Sequence, residues 1–161
     1  MIVVSNTSPI INLYAIGQLD LLRRLYGTVV IPQAVHEEIT HAGEEQPGST
    51  DIETHNWIVT RSVADQALMA SLRLELDEGE AGAIALAVEQ EADLILLDER
   101  KGRRIAARLG LHPVGLLGVL IEAKHAGIIS TIRPVVDDLI ARSGFWLGQE
   151  LYDRILRDAG E

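Results

Sequence analysis

Four short polar segments interrupt an otherwise apolar chain, and each carries carboxylate or amide side chains. These segments are Ser5–Pro9, Glu37–Glu38, Asp77–Glu80 and Asp98–Lys101. The first and the last directly follow short aliphatic runs, at the point where helical patterns begin. In an open parallel sheet this is the carboxyl edge, where ligands bind. Carboxylates that converge there repel one another and are costly to desolvate unless a cation lies among them. The sequence therefore predicts a divalent metal site.

Glu38 is the carboxylate that the helical periodicity places best. The helix predicted from Pro32 to Ala42 has Val35 and Ile39 on one face, and Glu38, three residues after Val35, shares that face. Glu37 points away from it. The spacing leaves two interpretations open: Glu38 is a metal ligand, or it is a boundary residue that reaches solvent or pairs with an arginine.

The residue pattern alone does not assign Glu80 and Asp98 as metal ligands. Asp77, Glu78 and Glu80 all fall in the first turn of a predicted helix, where carboxylates commonly complement the helix dipole. Asp98 follows the run Leu94–Leu97 and begins a helix, so an N-cap and a metal ligand are both compatible roles.

Asn6 occupies the position after Ile2–Val4 that Asp98 occupies after its own strand. An asparagine offers a neutral carbonyl oxygen, which can bind Mg²⁺ but adds no charge. Ser8 could orient Asn6 or bind a metal-bound water, and its alternative role is a helix cap.

Basic residues are concentrated in the helix that follows Asp98. Arg100, Arg104 and Arg108 are four residues apart and form one row, with Lys101 and Arg103 beside it. Two interpretations of this row are open: it contacts substrate phosphates, or it is simply a solvated helix face. We expect these basic side chains to be exposed in either case. No aromatic residues alternate with these basic residues, so we expect no strong base readout.

Strands alternate with helices along the chain, which indicates a parallel sheet with helices on both faces. The predicted strands are Ile2–Val4, Thr28–Ile31, Trp57–Thr60, Asp93–Leu97 and Pro113–Gly115, and the predicted helices after residue 31 cover 32–42, 63–76, 78–91, 99–109, 116–126, 133–142 and 150–159. Residues 43–50 are expected to form a loop.

Length and composition limit the function classes. A chain of 161 residues with no evident linker is expected to be a single domain, residues 1–161. The absence of cysteine excludes disulfides, thiolate zinc sites and thiol catalysis, and it fits a cytoplasmic location. A net charge of −10 argues against a general nucleic-acid coat but not against a nuclease, whose metal site needs carboxylates. No apolar stretch is long enough to span a membrane.

The four polar segments, in this order, resemble the four motifs of the PIN-domain family. The resemblance is carried by the residues Val3–Pro9, Ile31–Glu38, Gly79–Ala87 and Leu97–Arg100, and the segment from Gly115 to Gly160 resembles an uncharacterised PIN-like subfamily. This family comprises metal-dependent nucleases, including the toxin ribonucleases of type II toxin–antitoxin pairs. The resemblance implies a three-layer α/β/α sandwich with a mostly parallel central sheet of four to five strands.

The resemblance also implies a function and assigns residues to it. The function is a Mg²⁺- or Mn²⁺-dependent endoribonuclease that acts on RNA, with a homodimer and an antitoxin protein as implied partners. The implied residues are Glu38, Glu80 and Asp98 for catalysis, these three with Asn6 for metal binding, and Ser8, Arg100, Lys101 and Arg104 for substrate binding.

One residue departs from the family pattern, because the family usually has aspartate where this chain has Asn6. This departure favours an alternative, a catalytically silent PIN-like module that binds RNA or a partner protein. A small-molecule enzyme on the same fold class is a third possibility, but the chain lacks a cofactor motif for it.

Overall fold

The computed structural model describes residues 1–45 and 52–161 and contains a five-stranded sheet in the order β3-β2-β1-β4-β5, with every pairing parallel. The strands are β1 (Val3–Ser5), β2 (Val29–Pro32), β3 (Ile58–Arg61), β4 (Leu94–Leu96) and β5 (Pro113–Val114). The predicted α/β class is therefore confirmed.

Helices connect the strands and extend the chain beyond β5. In the described ranges they are α1 (Thr7–Ala15), α2 (Asp20–Tyr26), α3 (Gln33–Glu45), α4 (Gln66–Arg73), α5 (Glu78–Glu89), α6 (Arg100–Arg108), α7 (Leu116–His125), α8 (Arg133–Arg142) and α9 (Gln149–Asp158). A short 3₁₀ turn covers Ile52–Thr54.

The largest differences from the predicted bounds, three residues at a helix end, are at α3 and α4. Helix α4 is shorter than the predicted 63–76, because Asp65 caps it by accepting a hydrogen bond from the Leu68 backbone N–H at 3.0 Å. The predicted loop 43–50 is wrong at its start, since α3 continues to Glu45, and residues 46–50 lie outside the described residues.

The sheet separates two hydrophobic cores, because successive strand residues point to opposite faces. Val3 and Leu96 pack on one face, with α1, α2, α3, α7, α8 and α9. Val4 and Ile95 pack on the other face, with α4, α5 and α6. This arrangement is the three-layer α/β/α sandwich that the sequence predicts.

The order of the strands defines where a ligand would bind. The chain runs outward from β1 through β2 to β3 and then returns to place β4 on the other side of β1. In open parallel sheets the crevice at such a reversal, outside the carboxyl ends of the strands, is the usual ligand site. Ser5 pairs with Leu96, and the Asn6 N–H donates to the Leu96 carbonyl at 3.0 Å. Asn6 and Asp98 therefore leave adjacent strands at the same edge.

In the part of the chain that the structure describes, no helix is long and apolar enough to cross a membrane.

Candidate metal centre

A cleft of about 270 Å³ opens at this carboxyl edge of the sheet. Three of the four predicted ligands, Asn6, Glu38 and Glu80, line it together with Ser8. The other lining residues are Thr7, Ile11, Asn12, Asp77 and Glu99. Residues that are far apart in the sequence are thus brought to one site by α1, α3 and α5.

Asn6 lines this cleft and has an acceptor atom without a hydrogen-bond partner in the described residues. The residue is only 6% exposed, and its Oδ1 atom is buried with no hydrogen-bond partner among the described residues. A buried polar atom left unsatisfied costs about 1–3 kcal/mol. A cation that reached the Asn6 Oδ1 atom would remove that cost.

Glu38 projects from α3 towards the start of α1 and of α5. The Thr7 hydroxyl donates a hydrogen bond to Glu38 Oε2. The carboxylate also lies against Gly79, where a Cβ atom would be 2.6 Å from Oε1 and 2.7 Å from Oε2. A glycine at position 79 thus leaves the space that the Glu38 carboxylate occupies.

Glu80 lies in the first turn of α5 and is 8% exposed. Burial raises the pKa of the Glu80 carboxyl to about 7, and the hydrogen bond and negative charge of Asp77, then the charges of Glu99 and Glu38, act in the same direction. The Glu80 Oε2 atom lies against Gly102 of α6, at 2.8 Å from where a Cβ would be. Ionised Glu80 therefore lies among like charges, which a bound cation would offset.

Asp98 lies beside this cleft, and Ser8 connects the two. The Ser8 hydroxyl donates to Asp98 Oδ2 at 3.1 Å, and the Leu116 backbone N–H donates to Asp98 Oδ1 at 2.7 Å. The N-cap role considered for Asp98 on its own helix is wrong, because Glu99 is the N-cap residue of α6. The Asp98 carboxylate instead accepts from the first residue of α7.

Asp77 and Glu99 are two carboxylates of the cleft that are not among the predicted metal ligands. Asp77 is the N-cap of α5, and its Oδ1 accepts from the Glu80 backbone N–H at 2.8 Å. Its position three residues before Glu80 is a capping spacing, which could have identified its contact with Glu80. Glu99 follows Asp98 directly, and nothing in the sequence distinguishes it.

Arg100, Lys101 and Arg104 are exposed on α6, as the sequence predicts. In residues 1–45 and 52–161 none of them forms an ion pair. The buried residues of this helix are Gly102 and Ala106, so the row Arg100–Arg104–Arg108 lies on the face away from the core.

The oxygen donors of the cleft fit a Mg²⁺ or Mn²⁺ ion, both of which bind carboxylate and amide oxygens. The unsatisfied Asn6 oxygen and the mutual repulsion around Glu80 also favour a cation. Across the described ranges, however, no three carboxylate or imidazole groups are close enough together to share one ion. Convergence of all four predicted ligands on an ion therefore stays a prediction that requires side-chain rotation.

Comparisons with known proteins define the class. A family model described as a PIN domain matches residues 2–161, so the chain belongs to the PIN-domain family. PIN domains are generally nucleases and typically use divalent metals.

One similar solved structure is a PilT N-terminus domain protein of the hyperthermophilic archaeon Sulfolobus solfataricus P2. It aligns with a TM-score of 0.57 and 18% identity, over 74% of this chain and 90% of that one. At this identity the likeness shows the fold alone. No match was found among curated proteins.

Proposed function

We propose that this PIN domain is a Mg²⁺- or Mn²⁺-dependent endoribonuclease. The observation that carries the proposal is the buried Asn6 Oδ1 atom, which has no hydrogen-bond partner in the described part of the chain and belongs to a residue that lines a cleft with Glu38 and Glu80. A neutral oxygen beside two carboxylates is a donor set for a hard divalent cation.

Asn6, Glu38, Glu80 and Asp98 would hold one or two metal ions. Such ions, when bound, supply a water nucleophile at neutral pH and stabilise the leaving oxygen of a phosphodiester. Glu38, Glu80 and Asp98 also carry the catalytic role, because the same carboxylates place the reacting groups.

Neighbouring side chains hold these ligands in place. The Thr7 hydroxyl orients Glu38, and the Ser8 hydroxyl with the Leu116 N–H orients Asp98. The Asp77 carboxylate caps the first turn of α5, and burial together with Asp77 raises the pKa of the Glu80 carboxyl to about 7. A metal ligand must be deprotonated, so binding of a cation would favour the ionised form of Glu80.

The substrate would be RNA bound through its phosphates. Arg100, Lys101 and Arg104 are exposed, carry no ion pair within the described residues, and lie two to six residues after Asp98. Ser8 lines the cleft itself and donates a hydrogen bond to Asp98. Binding by phosphates favours broad sequence tolerance.

The biological role that we propose is that of the toxin in a type II toxin–antitoxin pair, acting as a homodimer and neutralised by an antitoxin protein. The toxin role and its partners are supported by the family alone, and the proposed cytoplasmic location fits the absence of cysteine.

A second candidate is a catalytically silent PIN-like module that binds RNA or a partner protein. Asn6 favours it, because a neutral ligand in place of the usual aspartate removes one negative charge from the site.

Cleavage of a mixed RNA pool tests the two candidates. We expect fragments with Mg²⁺ or Mn²⁺ and none with EDTA. Glu38→Gln, Glu80→Gln and Asp98→Asn should each abolish cleavage, whereas Glu37→Gln, a change of the same chemistry at the exposed adjacent position, should preserve it. If the natural protein cleaves no RNA with either metal, the silent module is the better conclusion.

A further inference from the structure

We infer that Arg103 binds a substrate phosphate beside Asp98, and that Gly115 is glycine because the Arg103 guanidinium occupies the space of a side chain there. This inference rests on the proposed function and adds a substrate-binding residue outside the row Arg100–Arg104–Arg108.

The side chains of Arg103 and Asp98 both lie close to the Cα atom of Gly115. A Cβ at Gly115 would be 2.7 Å from Arg103 Nη1 and 3.3 Å from Asp98 Oδ1. Gly115 lies between the end of β5 and the start of α7, so the guanidinium is held at the carboxyl edge of the sheet. Cβ atoms essentially never make contacts under 3.0 Å, so the guanidinium would have to move if residue 115 had a side chain.

Helical geometry explains why Arg103 reaches this edge of the sheet and Arg104 does not. Residues of an α-helix are rotated by about 100° from one to the next. Gly102 faces the core against Glu80 and Leu97. Arg103 is therefore on the flank next to the buried face, whereas Arg104 is rotated by about 200° from Gly102.

The charges of this edge leave the guanidinium free for a ligand. Both Asp98 oxygens accept hydrogen bonds, one from Ser8 and one from the Leu116 N–H. No ion pair in the described ranges includes Arg103, and its side chain is exposed.

A planar guanidinium matches two phosphate oxygens in a bidentate hydrogen bond. In a protein of net charge −10, beside the carboxylate-lined cleft, such a group would also offset the repulsion that a phosphodiester meets. The alternative is that Arg103 only balances the charge of Asp98 and packs on Gly115.

Binding of a labelled single-stranded RNA, measured in EDTA over a salt series, separates these roles. Arg103→Gln should weaken binding roughly tenfold and lower the slope of log K against log salt by about 0.7, the value for one phosphate contact. Arg103→Lys should restore the slope but only part of the affinity, because lysine lacks the planar fork. Gly115→Ala should resemble Arg103→Gln, since the methyl group displaces the guanidinium.

Arg108→Gln is the matched control, because Arg108 is exposed on the same helix but eight residues, or about 12 Å, beyond Arg100. It should change both quantities less than Arg103→Gln does. If the natural protein cleaves RNA and Arg103→Gln binds it like Arg108→Gln, the inference is wrong and the proposed function stands. If Arg103→Gln lowers the slope of log K against log salt but neither the natural protein nor any variant cleaves RNA, the phosphate contact stands and the ribonuclease proposal is wrong. A natural protein that neither binds nor cleaves RNA would overturn both.

Discussion

The Glu38 carboxylate packs against the Cα of Gly79, so closely that a methyl group at position 79 would be 2.6 Å from Glu38 Oε1. Glu38 comes from α3 and Gly79 from the first turn of α5, which also carries Glu80. The absence of a side chain at Gly79 therefore leaves room for Glu38 to approach the helical turn that carries Glu80.

Gly79→Ala should separate stability from function. The atoms in the way are the flexible end of Glu38, so the carboxylate moves and the backbone does not. Alanine is more favourable than glycine in a helix by roughly 1 kcal/mol, so the melting temperature should be unchanged or higher. A displacement of about 1 Å at a catalytic group can cost 100-fold, and we expect cleavage to fall by roughly 10- to 100-fold. Thermal unfolding and cleavage rates measure the two effects.

Gly82→Ala is the control within the same helix. A Cβ at Gly82 would lie 3.3 Å from the Pro32 ring and contact no carboxylate. It should alter the melting temperature with little effect on metal affinity. Equal losses of activity in both variants would mean that the helix, not the space for Glu38, is responsible.

The sequence predicts where the strand ends bring residues together, but not how their side chains are bound. The aliphatic runs before Asn6 and Asp98 were sufficient to place both residues at one edge of the sheet, because parallel strands share one carboxyl edge, whereas the adjacency of β1 and β4 is known only from the structure. The partner of Asp98 was not predictable, since the Leu116 N–H is 18 residues away and depends on how β5 leads into α7. Glu99 likewise contributes to the cleft only because α6 begins at Arg100 and directs it there.

The row Arg100–Arg104–Arg108 on α6 predicts how strongly RNA binding depends on salt. Arg100→Gln with Arg104→Gln removes two exposed charges beside Asp98. Each phosphate contact on single-stranded RNA contributes about 0.7 to the salt slope, so the double variant should lower it by about 1.4 and weaken binding. The melting temperature should hardly change because both side chains are exposed. An unaltered slope would assign this row to a solvated helix face.

Glu161 caps a helix to which it does not belong. Its carboxylate accepts hydrogen bonds from the backbone N–H groups of Ile132 and Arg133 at 2.8 and 3.2 Å, and from Lys124 Nζ at 3.0 Å. These groups lie at the start of α8 and on α7. Glu161→Gln should therefore destabilise the fold by about 1 kcal/mol, a typical value for a lost cap or hydrogen bond to a charged group. Glu150→Gln, at an exposed position of α9, should have almost no effect.

The stabilisation by Glu161 should depend on pH. Burial alone would raise the pKa of its carboxyl, but the hydrogen bonds from Ile132, Lys124 and Arg133 outweigh it and hold the pKa below the ordinary value of 4.5. A carboxyl whose pKa is lower in the folded state stabilises the fold above its unfolded pKa and loses that effect as the pH falls through the folded value. The difference in melting temperature between the natural protein and Glu161→Gln should thus be full at pH 7 and shrink below about pH 4.5. A difference that stays constant down to pH 3 would contradict this account.

Asn6→Asp would restore the residue that the family usually has at this position. Glu38, Glu80 and Asp98 bring three negative charges when ionised, and an aspartate at position 6 would add a fourth. Because ligand charge raises the affinity for hard cations, the variant should bind Mg²⁺ or Mn²⁺ more tightly and cleave RNA faster. Without metal it should melt a few degrees lower, since a buried carboxylate beside Glu38 and Glu80 is repelled. Calorimetric metal titration, cleavage rate and thermal unfolding in EDTA measure the three effects.

Asn12→Asp is the matched control, because Asn12 also lines the cleft but is not a predicted ligand. It adds the same charge to the same cavity and should affect metal affinity much less than Asn6→Asp. Equal gains in the two variants would mean that the general field of the cleft, and not a bond from position 6, attracts the ion. If Asn6→Asp gains metal affinity but neither protein cleaves RNA, the silent module becomes the better conclusion. If the natural protein cleaves and Asn6→Asp is slower, Asn6 is not a weakened ligand, and its amide N–H groups donate to the substrate instead.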